Sequence, residues 1–137
     1  MARMKRCLRR SRGLETVEAA LILPLMLLVV FGILEYGWMF VKQAQITNIT
    51  REAGRLAAMP DATTTSVNAM VAQMMANDNI SGYQTPVYSP AIGSATAGQA
   101  ITVTITVPYS NVGLTKVSLL PLPTSLQAQI TMNKEGP

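Results

Sequence analysis

The chain changes from basic to apolar at Arg12-Gly13-Leu14-Glu15-Thr16-Val17-Glu18, and this stretch decides how the rest of it is organised. No residue from Ala19 to Leu34 is charged, and the apolar run continues to Val41 if Glu35 reaches the membrane interface. The 23 residues of 19–41 would form about 34 Å of helix, which exceeds the roughly 30 Å of a hydrocarbon core. The sequence therefore predicts a membrane-spanning helix.

A cleaved secretory signal is the ordinary alternative for a basic segment followed by an apolar run. The run here is longer than the roughly 7–15 apolar residues of such a signal, and no cleavage site of small residues follows it. The residues after Val41 are Lys42-Gln43-Ala44-Gln45, which are polar and favour helix. Cys7 precedes the run and so is not placed to accept a lipid. We expect the span to remain part of the protein.

Glu18 stands at the edge of the apolar run, where its charge needs a partner. A charged side chain at the centre of a spanning helix costs about 2.5–3.5 kcal/mol, and less near the end. If a peptidase cuts after Gly13, the new ammonium of Leu14 lies about 6 Å from Glu18 along the helix axis. The two charges could pair within one chain or between neighbours and set the helix register. Alternatively, Glu18 of an uncleaved anchor snorkels to the headgroups.

The segment from Gly13 to Glu18 resembles the prepilin cleavage site of type IV pilin-like proteins, in which a basic leader is removed after a glycine and a glutamate stands fifth. The chain also resembles the TadE-like pseudopilins of the tight-adherence (Flp) pilus system, in the segments Val17-Glu18-Ala19-Ala20-Leu21-Ile22-Leu23-Pro24, Gly32-Ile33-Leu34-Glu35-Tyr36-Gly37 and Arg51-Glu52-Ala53-Gly54-Arg55. The C-terminal residues 130–135 resemble that family's closing strand, with Asn133 where a basic residue is expected.

The resemblance implies a minor pseudopilin in the bacterial inner membrane, cleaved after Gly13 and acting in pilus assembly or initiation. A major pilin of that system is expected to be much smaller. The implied partners are the membrane, a prepilin peptidase, other pilins or pseudopilins, and the inner-membrane assembly platform. The implied site residues are Gly13 and Leu14 at the cleavage site, and Glu18, Pro24 and Glu35 in helix register and assembly.

The distribution of charge agrees with removal of a leader. Six of the 11 lysines and arginines lie within residues 1–13, which contain no acidic residue. Without them the formal side-chain charge changes from +4 to about −2, so the basic surface typical of nucleic-acid binding is absent. The same cluster predicts a cytoplasmic N-terminus and an extracytoplasmic, periplasmic C-terminal domain. Cys7 is the only cysteine, so the exported part would contain no disulfide.

The residues after the span predict an α+β fold. Apolar residues at helical spacing continue from residue 44 to 58, and a second apolar helical face ends near Asn77, where its methionines are expected to pack in a core. Strict alternation predicts strands at 101–107 and 126–132, and a weaker strand at 83–88 with Pro86 suggests an edge. We predict a leader at 1–13, a span at 14–41, a stalk helix at 42–59 and, at 60–137, a pilin-like domain with a three-stranded antiparallel sheet.

Nothing in the sequence indicates catalysis. The chain has no histidine, its acids Asp61, Asp78 and Glu135 are isolated, and no spacing indicates a metal, cofactor or phosphate site. The loop 110–124 is apolar for its length, and we predict a partner contact there through Leu114, Leu119, Leu120 and Leu122. Alternatively, this loop covers the open edge of the sheet. A second function, an uncleaved membrane-anchored adaptor that binds partners through its sheet domain, also remains open.

Overall fold

The computed structural model describes residues 12–114 and 121–136. Its elements, in chain order, are α1 (Arg12–Ala58), α2 (Thr64–Asn77), β1 (Val87–Ser89), β2 (Ala100–Pro108) and β3 (Ser125–Asn133), with short 3-10 turns at Ile92–Ser94 and Tyr109–Asn111. The predicted α+β class is confirmed. The chain divides into two compact units, the first ending at Leu34 and the second beginning at Glu35. Residues 1–11 of the predicted leader lie outside the described residues. The other predicted domain boundaries stay predictions.

The first unit contains the N-terminal part of α1. In the described part of the chain, one helix is long and apolar enough to cross a membrane, and none of the residues in its most apolar window is buried. Large side chains such as Leu21 and Ile33 are 74% and 68% exposed. Pro24 lies inside α1, which continues through it without interruption, so the local melting that its missing N–H could cause is not observed. The exposed apolar surface fits a single-pass membrane anchor.

The second unit uses the C-terminal part of α1 as one wall of its core. Ile46, Ile49, Ala53 and Ala57 recur at helical spacing and are fully buried. They pack with one face of α2 and one face of the sheet. The predicted methionine face of α2 does belong to this core, since Met75 is fully buried and Met70 and Met74 pack partly buried against it. The core of the second unit therefore depends on α1.

A capping box begins α2. Thr63 accepts a hydrogen bond from the backbone N–H of Ser66 through its hydroxyl, and Ser66 Oγ accepts one from the N–H of Thr63. These bonds satisfy two backbone donors that a helix leaves unpaired at its start. The threonine cluster that follows α1 therefore sets the start of α2.

The sheet is antiparallel with the order β1-β2-β3. The two strong strands extend one residue beyond the predicted bounds at each end, and their register is uninterrupted from Ala100↔Asn133 to Pro108↔Ser125. The weak strand is shorter and later than predicted, at Val87–Ser89, although Gln84 N–H still donates to Thr106 O at 2.9 Å. Pro86 explains this shift because it has no N–H to contribute to the ladder.

The sheet approaches α1 closely at Gly54. A Cβ at this position would lie 2.7 Å from Ile130 Cγ2 and 3.5 Å from Met132 Sδ, so only glycine lets the strand lie this near to the helix. Hydrogen bonds from the residues after β3 also connect the end of this strand to the end of α1. Lys134 Nζ donates to Met59 O at 2.7 Å, and Glu135 N–H donates to Ala58 O at 2.7 Å. Ala58 O belongs to the last turn of α1, where carbonyl groups lack helical partners, and Met59 O directly follows it.

The contact at Gly54 generates a stability prediction. Gly54→Leu should lower the free energy of unfolding of the second unit by about 1–3 kcal/mol, because Ile130 is branched at Cβ and cannot move aside freely. Gly37→Leu is the matched control, since a Cβ at Gly37 would meet nothing within 4 Å. It should be neutral or stabilising by up to about 1 kcal/mol through helix propensity. Urea unfolding of both variants in detergent measures the difference, and equal effects would contradict the close approach.

Candidate functional site

The predicted cleavage segment lies in the first turns of α1. Gly13 and Glu18 are exposed, and Leu14 is helical. A Cβ at Gly13 would meet nothing within 4 Å, and Gly13 does not have a left-handed backbone. Within the described residues, therefore, neither packing nor backbone conformation requires a glycine at this position.

Glu35 is buried by its own chain. Its side chain is 1% exposed and lies in the second unit. Its Oε1 accepts a hydrogen bond from Tyr109 Oη at 2.7 Å and another from Leu114 N–H at 3.2 Å. The carboxyl group thus holds the turn that follows β2, and this contact does not depend on a membrane interface.

The turn after β2 is organised around Tyr109. Its carbonyl oxygen accepts from the N–H groups of Val112 at 3.0 Å and Gly113 at 2.8 Å. Trp38 Nε1, one helical turn beyond Glu35, donates to Val112 O at 2.7 Å. Gly113 lies close to both partners, since a Cβ there would be 3.2 Å from the Tyr109 ring and 3.4 Å from Glu35 Oε1. We call the contacts of Glu35 and Trp38 with residues 109–114 the helix-base contact.

The electrostatics of the helix-base contact favour a protonated tyrosine. Burial raises the pKa of Tyr109 well above its usual value, and the hydrogen bond to Glu35 and the charge of that carboxylate raise it further. The phenol therefore stays a donor at all physiological pH values. A hydrogen bond to a charged group contributes more than a neutral one, about 1.5–3 kcal/mol.

A lysine and the end of α2 complete this side of the second unit. Lys42 is 6% exposed, and its Nζ donates to Asp78 O at 2.7 Å and lies 5.2 Å from the centroid of the Trp38 ring. An open groove of about 460 Å³ is lined by these residues and by the turn after β2. Its lining includes Asn79 and Asn111 but no histidine or cysteine. In the residues that the structure describes, no group of three or more His, Cys, Asp or Glu is placed to hold a metal.

The loop predicted as a partner contact is attached to α1 at both described ends. Leu114 is 49% exposed, whereas Leu122 is partly buried against the core. Tyr36 Oη donates to Pro121 O at 2.9 Å. Leu119 and Leu120 lie outside the described residues. Pro24, the remaining predicted assembly residue, lies in the first unit.

Sequence reasoning missed three residues of this region. The sequence shows Trp38 only as part of the apolar run, and Tyr109 lies in neither the predicted strand 101–107 nor the predicted loop 110–124. Lys134 was read as part of a family motif, although its ammonium in fact reaches the C-terminus of α1. The local sequence around a tyrosine that follows a strand does not indicate a hydrogen-bond partner 74 residues earlier.

Comparison with known proteins agrees with the resemblance noted in the sequence. The model of the TadE-like protein family matches residues 13–55. The match begins at Gly13 and ends within the part of α1 that packs on the sheet. No curated protein and no solved structure matches the chain. The resemblance to TadE-like proteins of the Flp pilus system is thereby confirmed over these residues.

Glu35 generates a prediction about the stability of the second unit. Glu35→Leu should lower the free energy of unfolding by about 2–4 kcal/mol, because the Tyr109 hydroxyl would stay buried without an acceptor and the partly buried Leu114 N–H would lose its acceptor. Glu52→Leu is the matched control on the same helix. Glu52 forms an exposed pair with Arg55 at 2.7 Å, and such pairs contribute about 0–1 kcal/mol. Denaturant titration of both variants tests this, and a neutral Glu35→Leu would remove Glu35 from the helix-base contact.

Proposed function

We propose that this chain is a minor pseudopilin of a tight-adherence (Flp) pilus, held in the inner membrane by α1, cleaved after Gly13 and acting in pilus assembly or initiation. The TadE-like match over residues 13–55 supports the pilus system. The exposed apolar surface of the first unit supports the membrane anchor. The proposed partners are a prepilin peptidase, other pilins or pseudopilins and the inner-membrane assembly platform.

Gly13 is the observation that carries the proposal. Glycine in a helix costs about 1 kcal/mol relative to alanine, and it is usually explained by a close contact or a left-handed backbone. Neither explanation applies within the described chain. Gly37 is equally free of contacts, so it is the position of Gly13, between the basic residues and the apolar run and five residues before Glu18, that supports cleavage there. An enzyme that approaches the backbone at this point would be obstructed by any side chain.

The second unit supports a span that ends earlier than Val41. After cleavage the first unit would begin at Leu14, and the 21 residues from Leu14 to Leu34 give about 31 Å of helix, which matches a hydrocarbon core of roughly 30 Å. Glu35 and Trp38 already contact the folded domain. We therefore place the end of the span at Leu34. The basic leader then orients the second unit toward the periplasm.

Processing is tested at Gly13. Gly13→Trp should leave a full-length precursor in the membrane, because the indole blocks access to the backbone. Gly37→Trp, a glycine in open space on the same helix, should be processed normally. N-terminal sequencing of the purified proteins reads the result: Leu14 supports cleavage, whereas Met1 or Ala2 on the native chain supports the uncleaved adaptor instead.

Assembly is tested at Glu18. Glu18→Gln removes the charge and keeps the shape, so insertion into the membrane should be unharmed or easier. Cleavage should persist, but co-purification with pilus partners should be lost, because a neighbour's buried Leu14 ammonium would lack its counter-charge. Glu15→Gln, which changes a carboxylate that stands before the apolar run, is the control. Normal co-purification of processed Glu18→Gln would leave Glu18 as a passive interfacial residue.

A further inference from the structure

The outer edge of β3 lacks the features that normally protect a sheet edge. Among the described residues the sheet has three strands, and β3 lies at one side of it. The strand is nine residues long and contains no charged residue and no proline. Its unbroken register with β2 excludes a bulge. Edge strands usually carry charges, prolines or bulges, because their free N–H and C=O groups otherwise pair with another chain.

Hydrogen bonds at both ends of β3 show which of its backbone groups are free. Thr124 O accepts from Tyr109 N–H, and Lys134 exchanges bonds with Gln99 and Gly98, so the even-numbered residues face β2. Bonded and unbonded positions alternate in an antiparallel ladder, so the odd-numbered residues face away from β2. Gln43 Nε2 donates to Gln127 O at 2.9 Å and covers that position. Among the residues that the structure describes, the open edge therefore consists of Gln129, Thr131 and Asn133.

The opposite edge of the sheet is protected. β1 is only three residues long, and Pro86 and Pro90 flank it. Its residues Val87 and Ser89 pair with β2, which leaves only Tyr88 facing outward. A short strand between two prolines is a typical blocked edge. The two edges therefore differ, and the open one is β3.

We propose that the open edge of β3 accepts an extended, uncharged segment of a different subunit, which adds a fourth strand to the sheet. Free backbone groups supply the affinity in such strand addition, and alternate side chains supply the specificity. Ile130 and Met132 are partly buried on the face toward α1, while Gln129 and Thr131 are exposed on the other face. The added segment must alternate in the same way, with apolar residues toward α1 and small polar residues away from it.

A second copy of this chain does not fit the edge, if both copies are anchored in one membrane as the proposed function requires. The contacts Gln43 with Gln127, and Lys134 with Ala57, show that α1 and β3 run in the same direction. Antiparallel pairing of two β3 edges would make the two α1 segments that begin at Glu35 run in opposite directions, although both chains would enter the same membrane just before Glu35. Parallel pairing would turn one copy over and place its apolar face beside the other's polar face. The blocked β1 edge excludes pairing of β3 with β1.

Peptide binding to the mature protein in detergent tests the edge. The probe is a peptide with the sequence of residues 100–108, with two lysines added at each end, because β2 is the strand that β3 already accepts on its other side. Amide hydrogen exchange of Gln129, Thr131 and Asn133 should slow at least about tenfold in the presence of the peptide. Exchange of the even-numbered amides, which already bond to β2, should not change.

Two sets of controls separate edge pairing from other binding. A peptide N-methylated at its three threonines should not bind, while one N-methylated at its isoleucines should bind, because cross-strand pairing places the threonine amides at the β3 edge. Gln129→Pro should abolish binding without removing a bond to β2, and Gln129→Ala should retain it.

The outcomes distinguish the edge from the proposed function. Failure of the peptide to protect these three amides would overturn strand addition and leave processing at Gly13 untouched. Sedimentation measures self-association of the mature protein alone. Self-association that protects the same amides would overturn the choice of a different subunit.

Discussion

The buried carboxyl group of Glu35 is the constraint on which the packing of the second unit depends. It is the first residue after the uncharged run, and it accepts hydrogen bonds from Tyr109 Oη and Leu114 N–H. An acid that is buried without partners would cost several kcal/mol, so the turn after β2 must lie against α1. That turn also begins the connection to β3, so the position of one acid on the helix decides where the sheet can pack.

The C-terminal end of β3 is held by a different kind of interaction. There Lys134 Nζ donates a hydrogen bond to Met59 O, and Glu135 N–H donates one to Ala58 O at the end of α1. Between the two ends, Gly54 lets Ile130 approach the helix backbone. A small domain buries a small fraction of its surface and is therefore only marginally stable. In this protein α1 supplies one side of the domain's hydrophobic core. The sheet domain and the helix therefore form one folding unit from Glu35 onward.

The sequence predicted the elements well and the tertiary contacts poorly. Alternation in 101–107 and the apolar spacing of the second helix depend on local periods, so both were found with small errors at their ends. Glu35 was read as an interfacial acid because its local surroundings are apolar, yet its partners lie more than 70 residues away. Gly54 was recognised only as part of a family motif, because its reason, the side chain of Ile130, is supplied by the last strand. Gly13 was predicted from the resemblance, and its freedom from packing could be seen only in the structure.

Direction is the property that links the helix to the sheet. In the second unit α1 and β3 run the same way, because Gln43 contacts Gln127 and Lys134 contacts the carbonyl of Ala57. Every strand added beside β3 then has a defined direction relative to α1. In an antiparallel addition the new strand runs against α1, so it belongs to a chain of different topology or to a segment that reverses direction. The helix thus limits which chains can extend the sheet through its direction, and it contacts the edge itself at Gln127.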